Sequence, residues 1–148
     1  MNIALIAHDN KKELMANFCF AYSGVLSAHK LYATGSTADA IMEYTKMSVE
    51  SLSPGLLGGL RQLDTKIICG EIDMMIYFTN TLPGSNAYEE EGQLFTHCDI
   101  HDVPYATNMA TAEILIHGLE RGDLDWRDLV RDLQMPHSST DRASLPTK

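Results

Sequence analysis

The chain has 148 residues, a formal net charge of −9 and 45% hydrophobic residues. That length fits one domain, which buries about 68–70% of its unfolded surface on folding, and no apolar run approaches the roughly 18 residues of a membrane-spanning helix. The acidic balance, with an isoelectric point near 4.9, disfavours a nucleic-acid backbone or a membrane as partner, while a small anion can still enter a locally positive pocket.

Residues 3–7 form a continuous apolar run that reads as a strand, and a helical period follows over 11–22. The run lacks the basic flank and cleavage pattern of a signal peptide. Cys19, Cys69 and Cys98 are odd in number and widely spaced, which argues for reduced thiols and a cytoplasmic location. A second strand is expected over 30–33, a helix over 37–44 and a short strand over 47–52. The Gly- and Pro-rich stretch 53–59 is a loop. A helix over 60–69 then precedes a strand over 73–78, whose near-continuous hydrophobicity suits a sheet covered on both faces. Residues 80–87 read as a loop, 88–100 as helix, 103–106 as strand and 109–119 as helix. Such alternation predicts an α/β fold, a single Rossmann- or flavodoxin-like domain with a doubly wound parallel sheet, over 1–134. Residues 135–148, with Pro136, Pro146 and a Ser/Thr cluster, are expected to be a flexible tail.

Two strand ends carry the chemistry. Ala33-Thr34-Gly35-Ser36-Thr37 leads from the second strand into a helix, whose first N–H groups lack internal partners and sit at the positive end of the helix dipole. Gly35 permits close approach of the backbone, and Thr34, Ser36 and Thr37 add hydroxyl donors. Plain helix capping is the simpler role for such residues. At the end of the first strand stand His8, Asp9 and Lys12, on the edge where open parallel sheets bind ligands.

Together, NIALIAHDNKKELM, LYATGST, PGLLGG, GEIDMMIYF and VPYATNMATAEILI resemble the methylglyoxal synthase family, in order and spacing, from about Asn2 to Ile116. The resemblance implies homohexamers that act on dihydroxyacetone phosphate, removing a carbon-bound proton to give an enediolate that expels phosphate. By that resemblance His8 and Asp9 border the reacting carbonyl, and Lys12, Thr34, Ser36, Thr37 and Gly55 hold the phosphate, with Gly35 in the same turn. No cofactor and no metal are implied.

The departures are as informative. The family's Gly-Gly-Asp, whose Asp is the general base, reads Gly58-Gly59-Leu60, and an Asp of Phe-x-Asp-Pro-Leu is Asn80. The family's His-Asp-Pro-Asp aligns with Ala87-Tyr88-Glu89-Glu90, so Glu90 keeps the last carboxylate, and Pro54 replaces the usual Ser. No clear counterpart exists for a C-terminal Arg that reaches a neighbouring site, Arg121, Arg127, Arg131 and Arg142 being the candidates. Leu offers no proton acceptor, and a positioned base contributes about 10²–10⁴-fold to such a step. The expectation is therefore a binder of a phosphorylated small molecule or nucleotide that senses, sequesters or regulates without the family's catalysis. The alternative is an active synthase with a relocated base among Asp9, Asp64 and Glu90. His97 and His101, spaced i, i+4, make only half a metal site and are read as a helix end. Glu89-Glu90-Glu91 is read as a solvated helix start.

Overall fold

The computed structural model describes residues 1–55, 58–82 and 89–134. Five parallel strands, β1 (Asn2–Ala7), β2 (Lys30–Thr34), β3 (Glu50–Leu52), β4 (Met74–Phe78) and β5 (Tyr105–Ala106), lie in the order β3-β2-β1-β4-β5. The helices are α1 (Lys12–Ala21), α2 (Ser23–Leu26), α3 (Gly35–Thr45), α4 (Gly59–Ile68), α5 (Glu89–Ile100), α6 (Met109–Arg121) and α7 (Trp126–Gln134). The expected doubly wound α/β architecture is present. Differences sit at element ends. The chain leaves α3 through left-handed Lys46 (φ 62°), so β3 begins only at Glu50. The one-turn helix α2 carries too few residues to show a period. The expected tail and most of the 80–87 loop lie outside the described residues.

Alternation along each strand sorts the core into two layers, because successive side chains point to opposite faces. Ile3, Leu5, Ala7, Met74, Ile76 and Phe78 pack against α1, α3 and α6, through residues such as Phe18, Ile41 and Ile116. Ala4, Ile6, Met75 and Tyr77 face Leu60, Leu63 and Ile67 of α4 and Leu94 and Cys98 of α5. A sheet buried on both faces needs apolar residues at nearly every strand position. All five residues of β4 are buried.

A buried ion cluster closes the amino-terminal edge. Asp73, fully buried just before β4, accepts from the Asn2 N–H (2.8 Å) and from Arg127 Nε (3.1 Å), and also pairs with Arg131. Arg127 further donates to the carbonyls of Asp102 (2.5 Å) and Ile72 (3.3 Å). Helix α7 thus turns its arginines inward and leaves Trp126, Leu129, Val130 and Leu133 as an exposed apolar stripe. Asp73→Ala leaves the buried Arg127 without a counter-charge, while Arg131 keeps Asp128 (3.4 Å), and urea denaturation is expected to show a loss of about 3–5 kcal/mol.

Cys19 and Cys98 are buried and Cys69 is exposed, all three as free thiols. Burial pushes the Cys19 thiol up to about 12, and burial together with Asp99 and Asp64 pushes Cys98 equally far. Both stay protonated at pH 8, where only a thiolate reacts. Iodoacetamide at that pH is expected to add one group per native chain, at Cys69, and three after denaturation, read by intact mass.

Candidate functional site

The strand order reverses between β1 and β4, and ligands of open α/β sheets bind outside the carboxyl ends of the strands at such a point. The His8 N–H donates to the Phe78 carbonyl (3.1 Å) and holds the two strand ends together. Above that bond, Asn10 Nδ2 donates to Asn80 Oδ1 (3.1 Å), which also accepts from the Leu82 N–H (3.0 Å). Asn80 therefore joins the loops that leave β1 and β4.

The turn from β2 into α3 flanks this crevice. The helix starts at Gly35, and Thr34 precedes it in extended conformation without a side-chain capping bond. Thr37 donates to the Ala7 carbonyl (3.3 Å), which ties the first turn of α3 to the residue before His8. The loop after β3 crosses close by. A Cβ on Gly35 would stand 3.4 Å from Pro54, and one on Gly59 only 2.0 Å from the Ser53 carbonyl oxygen and 3.0 Å from Thr34. Gly55 lies on this loop beside Leu60, whose Cγ is 3.9 Å from the position of a Gly55 Cβ. Ser36 is exposed, with its hydroxyl-bearing side chain at the start of α3.

On the other side of β1, three buried groups converge. His8 Nε2 pairs with Glu91 Oε1, and Tyr77 donates to the same oxygen (2.9 Å). Strand parity explains the meeting, since His8 continues the face of Ala4 and Ile6, and Tyr77 stands opposite Ile6 on that face. The rings of His8 and Tyr77 approach edge-on at 5.8 Å. Glu91 sits in the first turn of α5, where the helix dipole favours a carboxylate.

The carboxylates named from the sequence have other partners. Glu90 lies 4.0 Å from Arg61 at the surface, so the carboxylate that meets His8 is its neighbour. Glu91, expected from the sequence to be solvated with Glu89 and Glu90, is buried. A helical wheel places it instead on the stripe of Leu94 and Cys98, both fully buried, and that was the overlooked signal. Asp9 is exposed and bonded to Lys12, whose hydrogen bond and charge hold its carboxyl below the usual range, which makes Asp9 a weak base. Asp64 is engaged by His97 (2.6 Å) between α4 and α5. Leu60 is buried in the core beneath the crevice. Arg127 and Arg131 serve the Asp73 cluster at the opposite edge, Arg121 pairs with Asp123 (2.9 Å), and Arg142 lies outside the described residues. Among the described residues no three His, Cys, Asp or Glu side chains gather as a metal site, and no helix is long and apolar enough to cross a membrane.

No family model matches the chain. Curated relatives do. It is 49% identical over 130 residues to the methylglyoxal synthase of Caldicellulosiruptor saccharolyticus, covering 88% of this chain and 92% of that protein. With the methylglyoxal synthase of Alkaliphilus metalliredigens it shares 48% over 132 residues, covering 89% and 98%. The crystal structure of methylglyoxal synthase from Elizabethkingia anophelis NUHP1 superposes with a TM-score of 0.70 at 31% identity, covering 78% of this chain and 76% of that one.

The close crossing at Gly59 makes a sharp test of the site's architecture. Gly59→Ala drives a methyl into the Ser53 backbone, and the loop over α3 must move. Urea denaturation is expected to show a stability loss of about 1–3 kcal/mol.

Proposed function

Since the chain belongs to the methylglyoxal synthase family, we propose that its crevice binds a small phosphorylated carbonyl compound of the dihydroxyacetone phosphate class and carries out the family's reaction, proton removal followed by loss of phosphate. The observation that carries this reading is the buried carboxylate of Glu91 against His8. A site that only held an anion would gain nothing from a second negative charge beside it, whereas proton transfer needs a paired acid and base. The start of α3, with Thr34, Gly35, Ser36 and Thr37, supplies backbone N–H groups and the Ser36 hydroxyl for the phosphate, the Thr37 hydroxyl being engaged by the Ala7 carbonyl, and Lys12 and the Gly55 loop flank it. Asn80 and His8 border the reacting carbons. The protein acts without a cofactor and as a homo-oligomer, hexameric as the family resemblance implies, and the exposed apolar stripe of α7 favours self-association.

A second reading, binding without conversion for sensing, sequestration or regulation, is favoured by Leu60. That side chain is apolar and core-packed where the resemblance calls for the base, and it can take no proton.

Methylglyoxal formation from dihydroxyacetone phosphate, measured beside His8→Ala and an established synthase, separates the two readings. The expected result is turnover that His8→Ala lowers by about 10²-fold or more. Turnover no higher than that of the variant, with the phosphate ester still bound in calorimetry, would establish the second reading instead.

A further inference from the structure

Position 91 belongs to the inward stripe of α5, where Leu94 and Cys98 are fully buried. A carboxylate there is costly unless its lone pairs are satisfied. They are satisfied by two groups outside α5: Tyr77 Oη at 2.9 Å and His8 Nε2, both meeting Oε1. All three side chains are shut away from water, with Tyr77 fully buried, Glu91 4% exposed and His8 7% exposed.

An ionised carboxylate only accepts hydrogen bonds, so Tyr77 and His8 both donate to Glu91. His8 therefore carries its proton on Nε2. An imidazole whose Nε2–H is held this way gains and loses its other proton at Nδ1. The same logic governs a histidine base oriented by a buried carboxylate in hydrolases, with the two ring nitrogens exchanged. Tyr77 restrains the carboxylate in turn.

Resting on the reading that this crevice moves a proton, we propose that Glu91 and Tyr77 are positioning residues that hold His8 as its Nε2–H form, and that His8 Nδ1 takes the ligand's carbon-bound proton. In that step the C–H bond at the hydroxyl-bearing carbon of dihydroxyacetone phosphate breaks and its electron pair becomes the second bond of the enediolate. The proton goes to Nδ1. The enediolate then expels inorganic phosphate by cleavage of the C–O bond at the other terminal carbon, which leaves the enol of methylglyoxal. Protonation of that enol at its methylene carbon, with release of its hydroxyl proton, completes the reaction. The base is thus the His8 imidazole, and no carboxylate at position 60 is required.

The test has a ligand-free arm and a turnover arm. With ¹⁵N-labelled histidine, NMR of the free protein is expected to show His8 protonated at Nε2, with that proton far downfield. Glu91→Gln removes the downfield signal and Tyr77→Phe shifts it. In D₂O with dihydroxyacetone phosphate, exchange of carbon-bound protons and methylglyoxal formation are followed together. Tyr77→Phe, which changes only a hydroxyl, is expected to lower kcat about tenfold and Glu91→Gln about 100-fold, both with KM changed less than about threefold and Glu91→Asp partly restoring kcat. If Glu91→Gln does not fold, Tyr77→Phe carries the same prediction alone. Wild-type turnover in both variants, or a free-protein His8 protonated at Nδ1 and not at Nε2, overturns the assignment while leaving the synthase reading intact. A wild-type protein that binds the ester yet neither exchanges a proton nor forms methylglyoxal overturns the synthase reading itself.

Discussion

Both faces of the sheet are covered by helices, and this constraint decides where chemistry can happen. Every inward position of β1 and β4 is occupied by core side chains, so charged and proton-carrying groups are left with the two strand ends. The reversal of strand order between β1 and β4 opens a crevice at one of those ends, and α3 begins there directly after β2. His8, Thr34, Thr37, Asn80 and Glu91 are gathered by that geometry, although they come from four separate stretches of chain.

The opposite end does a different job with the same materials. Asp73, Arg127 and Arg131 form an ion cluster that fastens α7 and the first strand to the base of the sheet. Asp73 and Arg127 are buried and are satisfied by backbone groups as well as by each other, the condition under which a buried ion pair is tolerated, and Arg131 closes the cluster from the half-exposed side. Because the arginines face inward, the apolar residues of α7 face outward, opposite to the arrangement usual for a helix packed on a domain. Charge at one edge holds the fold; at the other it is paired with an imidazole and a phenol.

Leu60 is part of the hydrophobic layer under the crevice, and its packing against the Gly55 loop preserves the loop's course. The carboxylate of Glu91 enters from α5, which packs on the face of the sheet opposite to α3. His8 pairs with it at the end of β1, and the preceding residue, Ala7, accepts from Thr37 in the first turn of α3.

The strand and helix alternation, the covered sheet, the hydroxyl-rich turn at Thr34–Thr37 and the place of His8 at a strand end were all legible in the linear chain, because periodicity and turn chemistry are local properties. The choice of Glu91 over Glu90 was not. Adjacent residues on a helix differ by about 100° in direction, so which of them meets His8, 83 residues away, depends on how α5 is rotated and seated against β4. The destination of Arg127 and Arg131 was hidden for the same reason: composition placed basic residues on an amphipathic segment, but only the docking of that segment beneath Asp73 assigned them a partner. Local period and turn chemistry fix which segments become strands and helices and which chemical groups stand at their ends. The tertiary structure alone decided which of those groups meet, since long-range pairing follows from the packing of whole elements and leaves no local period to read.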